Sequence, residues 1–301
     1  MLKLGIVGLS EGNGHPYSWA AIINGYDRAA MDSCPFPVIP QYLGRRPDGD
    51  FGIDDARVTH IWTQDEAISR DVARASKIEK VVPNLRDMIG EIDALLLARD
   101  DGQYHLQMSA PFLDKGIPVF IDKPLTDNAP DLAEFRERYA AGQPIVSTSC
   151  FRYSMELLAL AEEKWTYANA VSPKYWRTYG IHILEGVRAV MGGGFKAVRD
   201  VGTSNRAQVQ LTWQDGREAQ LEIVTGLAGP IAFNFYGADR WVRVDSFDTF
   251  SMFKAQLADF IGFVQTGVRP FPPEETLETV SVIVAAQESK ARGGEWVDVH
   301  A

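Results

Sequence analysis

The stretch Leu4-Gly5-Ile6-Val7-Gly8-Leu9-Ser10-Glu11-Gly12-Asn13-Gly14-His15-Pro16 decides the fold. A short apolar run breaks into a glycine-rich turn, and a helical pattern then runs from about Pro16 to Asn24. Proline suits the first helical turn because its missing N–H would have no partner there. Outward from this unit, apolar runs alternate with helical patterns. Val58 to Trp62 is the next strand, followed by a helix over Glu66 to Ser76. Ile92 to Ala98 is almost wholly apolar, as expected of a parallel strand covered on both faces. A helix over Gln103 to Lys115, a strand at Pro118 to Ile121, a helix over Ala129 to Ala141 and a strand at Pro144 to Val146 complete the series. The alternation predicts right-handed βαβ crossovers, hence an α/β class with a doubly wound parallel sheet of Rossmann type.

Gly25 to Ala56 breaks the rhythm with Pro35, Pro37, Pro40 and Pro47. It is read as an insertion, 25–56, that is either functional or a plain surface excursion. No internal repeat is visible. Beyond Phe151 the pattern changes. Val209, Leu211 and Trp213 alternate with polar residues, as do Ala219, Leu221 and Ile223, and the Asp215-Gly216 pair between them signals a hairpin. Phe233 to Tyr236 and Trp241 to Val244 read as further antiparallel strands. Phe253, Leu257, Phe260, Ile261 and Val264 recur with helical spacing, and a last helix spans about Pro273 to Lys290. The expected division is a dinucleotide-binding domain at 1–125, its sheet continuing to about 150, and an α+β domain at 151–301 with a mainly antiparallel sheet for substrate binding and oligomerisation. The last helix is a candidate to pack back on the first domain.

The formal net charge of −10 opposes a general affinity for nucleic-acid phosphates. Cys34 and Cys150 lie far apart without metal-ligand spacing, so reduced thiols and no metal site are expected. The N-terminus leads straight into a strand, and no apolar run reaches the length of about 20 residues that spans a bilayer. The expectation is a cytoplasmic protein with no membrane partner.

In an open parallel sheet, ligands bind beyond the carboxyl ends of the strands. The first such end holds Gly8, Ser10, Gly12, Asn13, Gly14 and His15, where glycines let a backbone approach a diphosphate and the helix N-terminus favours its charge. Ser10 stands where the G-x-G-x-x-G pattern has its second glycine. The second strand ends at Thr63-Gln64, with Thr63 in the place of the usual ribose-binding acid. Either NAD or NADP is therefore admissible. Asp122-Lys123-Pro124 closes a buried strand, where a lysine needs a partner or a task. His182 and Glu185 share a face of an apolar-striped helix, and a histidine there is either structural or a proton-transfer group.

Together these residues resemble the Gfo/Idh/MocA family, named for glucose–fructose oxidoreductase and inositol dehydrogenase. The likeness runs through the Gly8 to His15 turn, the Ala98, Arg99 to His105 strand end, Asp122-Lys123-Pro124 in place of Glu-Lys-Pro, and Gly180-Ile181-His182-Ile183-Leu184-Glu185 in place of Gly-x-His-x-x-Asp. The C-terminal helices and Thr266 to Pro270 fit as well. The resemblance implies an NAD- or NADP-dependent oxidoreductase acting on a sugar, cyclitol or related hydroxy or keto compound. Lys123 and His182 would meet at the nicotinamide across the domain cleft. A homodimer or homotetramer is expected by the same analogy. The family often carries an aspartate four residues before the histidine, where this chain has Thr178. Arg152-Tyr153 either reaches an anionic substrate group or forms a structural pair, and Glu185 is a candidate to stand in for the missing acid. A non-catalytic dinucleotide or sugar sensor of the same fold is the alternative reading.

Overall fold

The computed structural model describes residues 1–53 and 55–300, which cluster into two compact units. The first holds Met1–Asp122, Glu137–Ser147 and Thr249–Pro270; the second holds Lys123–Arg136, Thr148–Asp248 and the chain from Phe271 onward. Both are discontinuous, so the chain passes between them five times.

The strands of the first unit are β1 (Leu2–Val7), β2 (Ala56–Trp62), β3 (Lys80–Val81), β4 (Ala94–Leu97), β5 (Val119–Ile121) and β6 (Ile145–Ser147). They form one sheet in the order β3-β2-β1-β4-β5-β6, and every pair is parallel. The order reverses beside β1, which puts a ligand crevice at the carboxyl ends of β1 and β4. Helix α1 (His15–Asn24) returns from β1 with Trp19 fully buried. The 25–56 insertion carries two short helices. Asp27 caps α2 (Arg28–Met31) by accepting from the Ala30 N–H, and α3 (Val38–Leu43) follows. Phe51 contacts both Tyr26 and Phe250. Helix α4 (Glu66–Ala75) follows β2, and α5 (His105–Leu113) follows β4. The crossover helix α6 (Ala129–Ala140) joins β5 to β6.

The second unit carries β7 (Tyr167–Pro173), β8 (Phe195–Asp200), β9 (Arg206–Trp213), β10 (Glu218–Val224), β11 (Ala232–Tyr236), β12 (Trp241–Val244) and β13 (Val297–Asp298). Their order is β12-β11-β7-β10-β9-β8-β13, antiparallel except where β7 runs parallel to β10. The Asp215-Gly216 hairpin sets the register that opposes Leu211 to Ala219 and Val209 to Leu221. Short α7 (Met155–Leu158) precedes this sheet, and α8 (Trp176–Met191) follows β7.

Of the last two helices, α9 (Thr249–Thr266) belongs to the first unit and α10 (Pro273–Ala291) to the second. The contiguous 151–301 division puts α9 with the antiparallel sheet. Instead its stripe of Phe253, Leu257, Phe260 and Ile261 is buried in the first unit, with Phe253 against Trp19 and Phe260 against Phe120. Helix α10 lies on β8 and α8, where the Trp176 indole N–H donates to the Ile283 carbonyl. Aromatic area decides both placements, since each large ring must leave water.

Candidate active site

The first unit gathers its predicted residues along one sheet edge. The Gly8 N–H bonds the Trp62 carbonyl at 3.1 Å, Ala98 bonds Val7 at 2.7 Å, and Asp122 bonds Leu97 at 3.0 Å, so these positions continue their strands side by side. The turn after β1 is held by side chains from its neighbours. Ser10 Oγ donates to Asp100 Oδ1 at 2.6 Å, while the Asp100 N–H donates back to Ser10 Oγ at 3.1 Å. Gln64 grips the Leu9 backbone, accepting its N–H at 3.0 Å and donating to its carbonyl at 2.5 Å. Arg99 forks onto Asp101 at 2.8 and 2.6 Å and reaches Gln64 at 3.3 Å. His105, fully buried, fixes this strand end through Nε2 and the Arg99 carbonyl at 2.9 Å.

Asp122 is anchored from the turn. Asn13 Nδ2 donates to Asp122 Oδ2 at 3.0 Å, and His15 Nδ1 lies 2.5 Å from the same oxygen. The Asn13 carbonyl oxygen accepts the His15 N–H, and the His15 ring stacks on Trp19. The residue before Lys123 is thereby fixed. Thr63 acts locally: its hydroxyl donates to the Asp65 carbonyl at 2.6 Å and meets Ser69 Oγ at 2.9 Å.

The turn fits a bound dinucleotide in shape. Gly12 has φ +74°, and no heavy atom stands within 4 Å of where a β-carbon would be, so the backbone there faces open space. A β-carbon on Gly8 would stand 2.3 Å from Pro16 Cγ, and one on Gly14 would stand 2.5 Å from Phe36 and Ile39. Those two glycines let β1, α1 and the insertion close on one another. Helix α1 begins without a side-chain cap from Gly14, and its N-terminal dipole lies at the turn.

The second cluster surrounds the first turns of α8. Lys123 is only 3% exposed; its Nζ donates to the Thr178 carbonyl at 3.3 Å and stands 5.0 Å from the Tyr179 ring centre. His182, 7% exposed, puts its own ring 4.9 Å from the same tyrosine ring. Lys123 and His182 thus border one aromatic side chain, and both lie in the second unit. The His182 Nδ1 is 2.6 Å from Ser149 Oγ, which also accepts the Phe151 N–H, and Phe151 flanks the imidazole. Pro124 is buried behind Lys123.

Arg152 and Glu185 pair with each other. Arg152 Nε donates to Glu185 Oε2 at 2.9 Å and Nη1 to Glu275 Oε2 at 2.5 Å, with Phe271 stacked 4.1 Å from the guanidinium. Thr148 adds a bond to Glu185 Oε1 at 3.1 Å. Burial works against the Arg152 charge, but Glu185 and Glu275 outweigh it and hold the guanidinium above its ordinary pKa. Burial likewise pushes Glu275 upward, yet Arg152 and Arg188 prevail and hold it below the usual 4.5. This geometry favours the structural reading of Arg152. Tyr153 ends the short 3-10 turn Cys150–Tyr153 beside it.

Ser149, Tyr179 and Glu275 carry weaker signals in the sequence. Ser149 had one legible signal, since it follows a parallel strand end, where ligand-facing groups collect. Tyr179 stands directly before the Gly180-x-His182 motif but resembles any helix-face aromatic. Glu275 lies far along the chain from its arginine.

The family model for the Gfo/Idh/MocA oxidoreductases, an NAD-binding Rossmann fold, matches residues 2–148. Solved structures share the whole architecture at low identity. Myo-inositol 2-dehydrogenase from Lactobacillus plantarum aligns at 16% identity over 99% of both chains with a TM-score of 0.77. Scyllo-inositol dehydrogenase from Lactobacillus casei, with bound NAD(H) and scyllo-inositol, aligns at 15% over 100% of both with a TM-score of 0.74. GenD2 from gentamicin A biosynthesis, in complex with NAD, aligns at 14% over 100% of this chain and 97% of its own with a TM-score of 0.75. No curated protein sequence matches the chain. Among the described residues, no helix is long and apolar enough to cross a membrane.

Proposed function

We propose, from the match of residues 2–148 to the Gfo/Idh/MocA oxidoreductase family model, that this chain is an NAD-dependent dehydrogenase of a sugar, cyclitol or related hydroxy compound. The observation that carries the reading is the placement of Lys123 and His182 around one ring, Tyr179. Bound NAD supplies a hydride acceptor; the protein supplies alignment and proton handling. In the oxidising direction, the His182 imidazole takes the hydroxyl proton as the adjacent carbon gives up its hydride. Lys123 Nζ hydrogen-bonds the same oxygen and favours the negative charge that develops there. Ser149 holds the imidazole by Nδ1, so a hydroxyl orients this base in a chain that has Thr178 in place of the family's aspartate.

Gly8, Ser10, Gly12, Asn13, Gly14 and His15 would cradle the diphosphate. Thr63, Gln64, Ala98, Arg99 and His105 line the neighbouring strand ends, and Asp122, Lys123 and Pro124 close the nicotinamide side. We assign the protein to the cytoplasm and to a homodimer or homotetramer on the same reading. The test is NADH formation from a panel of cyclitols, aldoses and sugar acids. Lys123→Ala should lower turnover by about 10³-fold, within the range for a lost acid–base partner, while calorimetry shows NAD still binding. Unchanged turnover would overturn the assignment.

A further inference from the structure

The second unit also holds a cavity of about 480 Å³ that the proton-transfer pair does not use. It opens where β7, β8 and β10 end and β9 begins, beside the first turn of α8 and the last of α10. Trp176 and Ile223 give it apolar walls, and four cations line it: Lys174, Arg177, Arg206 and Lys290.

Two of these charges are matched. Arg177 forks onto Asp127 at 2.9 and 2.5 Å, and Lys290 lies 3.3 Å from Asp200, which also accepts the Gly202 and Gln208 N–H groups. Among the described residues, the other two bond neutral groups. Lys174 Nζ donates to the Tyr179 hydroxyl at 2.5 Å, and Arg206 Nη2 donates to the Gln208 side-chain oxygen at 2.9 Å. Two positive charges on one cavity thus stand without an ion pair among the described residues, in a chain of net charge −10. Lys174 also holds a φ of +76°, a backbone region that non-glycine residues rarely adopt and that collects at binding sites.

Lys174 lines this cavity and also touches an aromatic ring of the site above. Its ammonium lies 4.2 Å from the centre of the Tyr179 ring that Lys123 and His182 border. One aromatic ring separates the charge from the base, a span that a six-carbon chain covers. We infer that the substrate is an acidic sugar or cyclitol derivative whose carboxylate or phosphate is held by Lys174 and Arg206 while its reacting hydroxyl faces His182. The inference rests on the dehydrogenase reading and narrows its substrate class.

The test uses NAD-loaded protein with D-glucose, D-gluconate and D-glucose 6-phosphate as probes, by calorimetry and by NADH formation. At least one anion should bind about 10-fold or more tightly than glucose, the size of a charge-assisted contact. Gluconate and the phosphate ester report separately which acid group is taken. In Lys174→Met and Arg206→Gln the ratio of anion to neutral affinity should fall toward one, and KM for the acid should rise more than kcat falls. Equal binding of acid and neutral probes would overturn the inference, as would variants that weaken both alike. Turnover of neutral compounds alone, abolished in Lys123→Ala, would keep the dehydrogenase and remove the acid. Anion binding lost in Lys174→Met, with no turnover of any probe, would keep the anion site and remove the dehydrogenase.

Discussion

The turn after β1 and the start of α8 treat polar side chains in opposite ways. Around the turn, Ser10, Asn13, His15 and Arg99 are tied to Asp100, Asp122 and Asp101, and Gln64 to the Leu9 backbone. The side chains there serve the loop itself, and backbone faces such as that of Gly12 are left for a ligand. At the start of α8, Lys174 rests on a phenol hydroxyl and an aromatic face, and Arg206 across the cavity rests on an amide. A cation with a neutral partner keeps most of its field for a ligand. The first region contributes shape, and the second contributes charge.

The largest test of that contrast lies further along α8, where charge is matched and buried. Arg152→Ala should cost about 3–5 kcal/mol in urea unfolding, because Glu185, 1% exposed, would be left as a buried charge. A cost under 1 kcal/mol would erase the distinction between matched and unmatched cations. The same network predicts an acid limb. Glu275 has its folded pKa below 4.5, so its contribution is complete above 4.5 and is lost as the pH falls through the folded value. Stability measured from pH 5 downward should fall less steeply in Arg152→Ala than in the parent.

Next comes the shape of the turn. Gly8→Ala puts a β-carbon 2.3 Å from Pro16 Cγ and should cost about 1–3 kcal/mol by overpacking, together with weaker NAD binding. An unchanged melting temperature would show that the turn is not set by contact. Ser149→Ala should lower kcat about 10-fold and move the pH–rate profile, since the imidazole loses the group that orients it. A profile that stays in place would reduce Ser149 to a turn residue. The smallest effect belongs to Asp100→Asn, about 0.5–1.5 kcal/mol, as the acceptor of the Ser10 hydroxyl changes from charged to neutral. Tighter NAD binding in that variant would sharpen the contrast by showing that the carboxylate repels the diphosphate.

Legibility followed the same division. β1 and β4 bury Leu4, Ile6, Val7 and all of Ala94–Leu97, so their apolar runs announced the parallel sheet. The β9–β10 hairpin announced itself by alternation and by Asp215-Gly216. β7, at the heart of the second sheet, did not. Its inward residues are Ala168, Ala170 and Ser172, too small or too polar for a period-two pattern to stand out. β8 carries a register shift between Phe195 and Ala197 that breaks the alternation, and two-residue β13 exists only through its pairing with β8. Lys123 and His182 were legible because they sit in short local motifs. Ser149 and Glu275 meet His182 and Arg152 across 33 and 123 residues, and spacing along the chain encodes neither meeting.

The five passages of the chain between its two units carry a consequence for its ancestry. No single cut frees either unit whole. A truncation near residue 150 would strip α9 from Trp19 and Phe120, leaving aromatic surface that water cannot accommodate and that would drive self-association. A fragment exchanged at any single junction would therefore carry an unfinished core into its new gene.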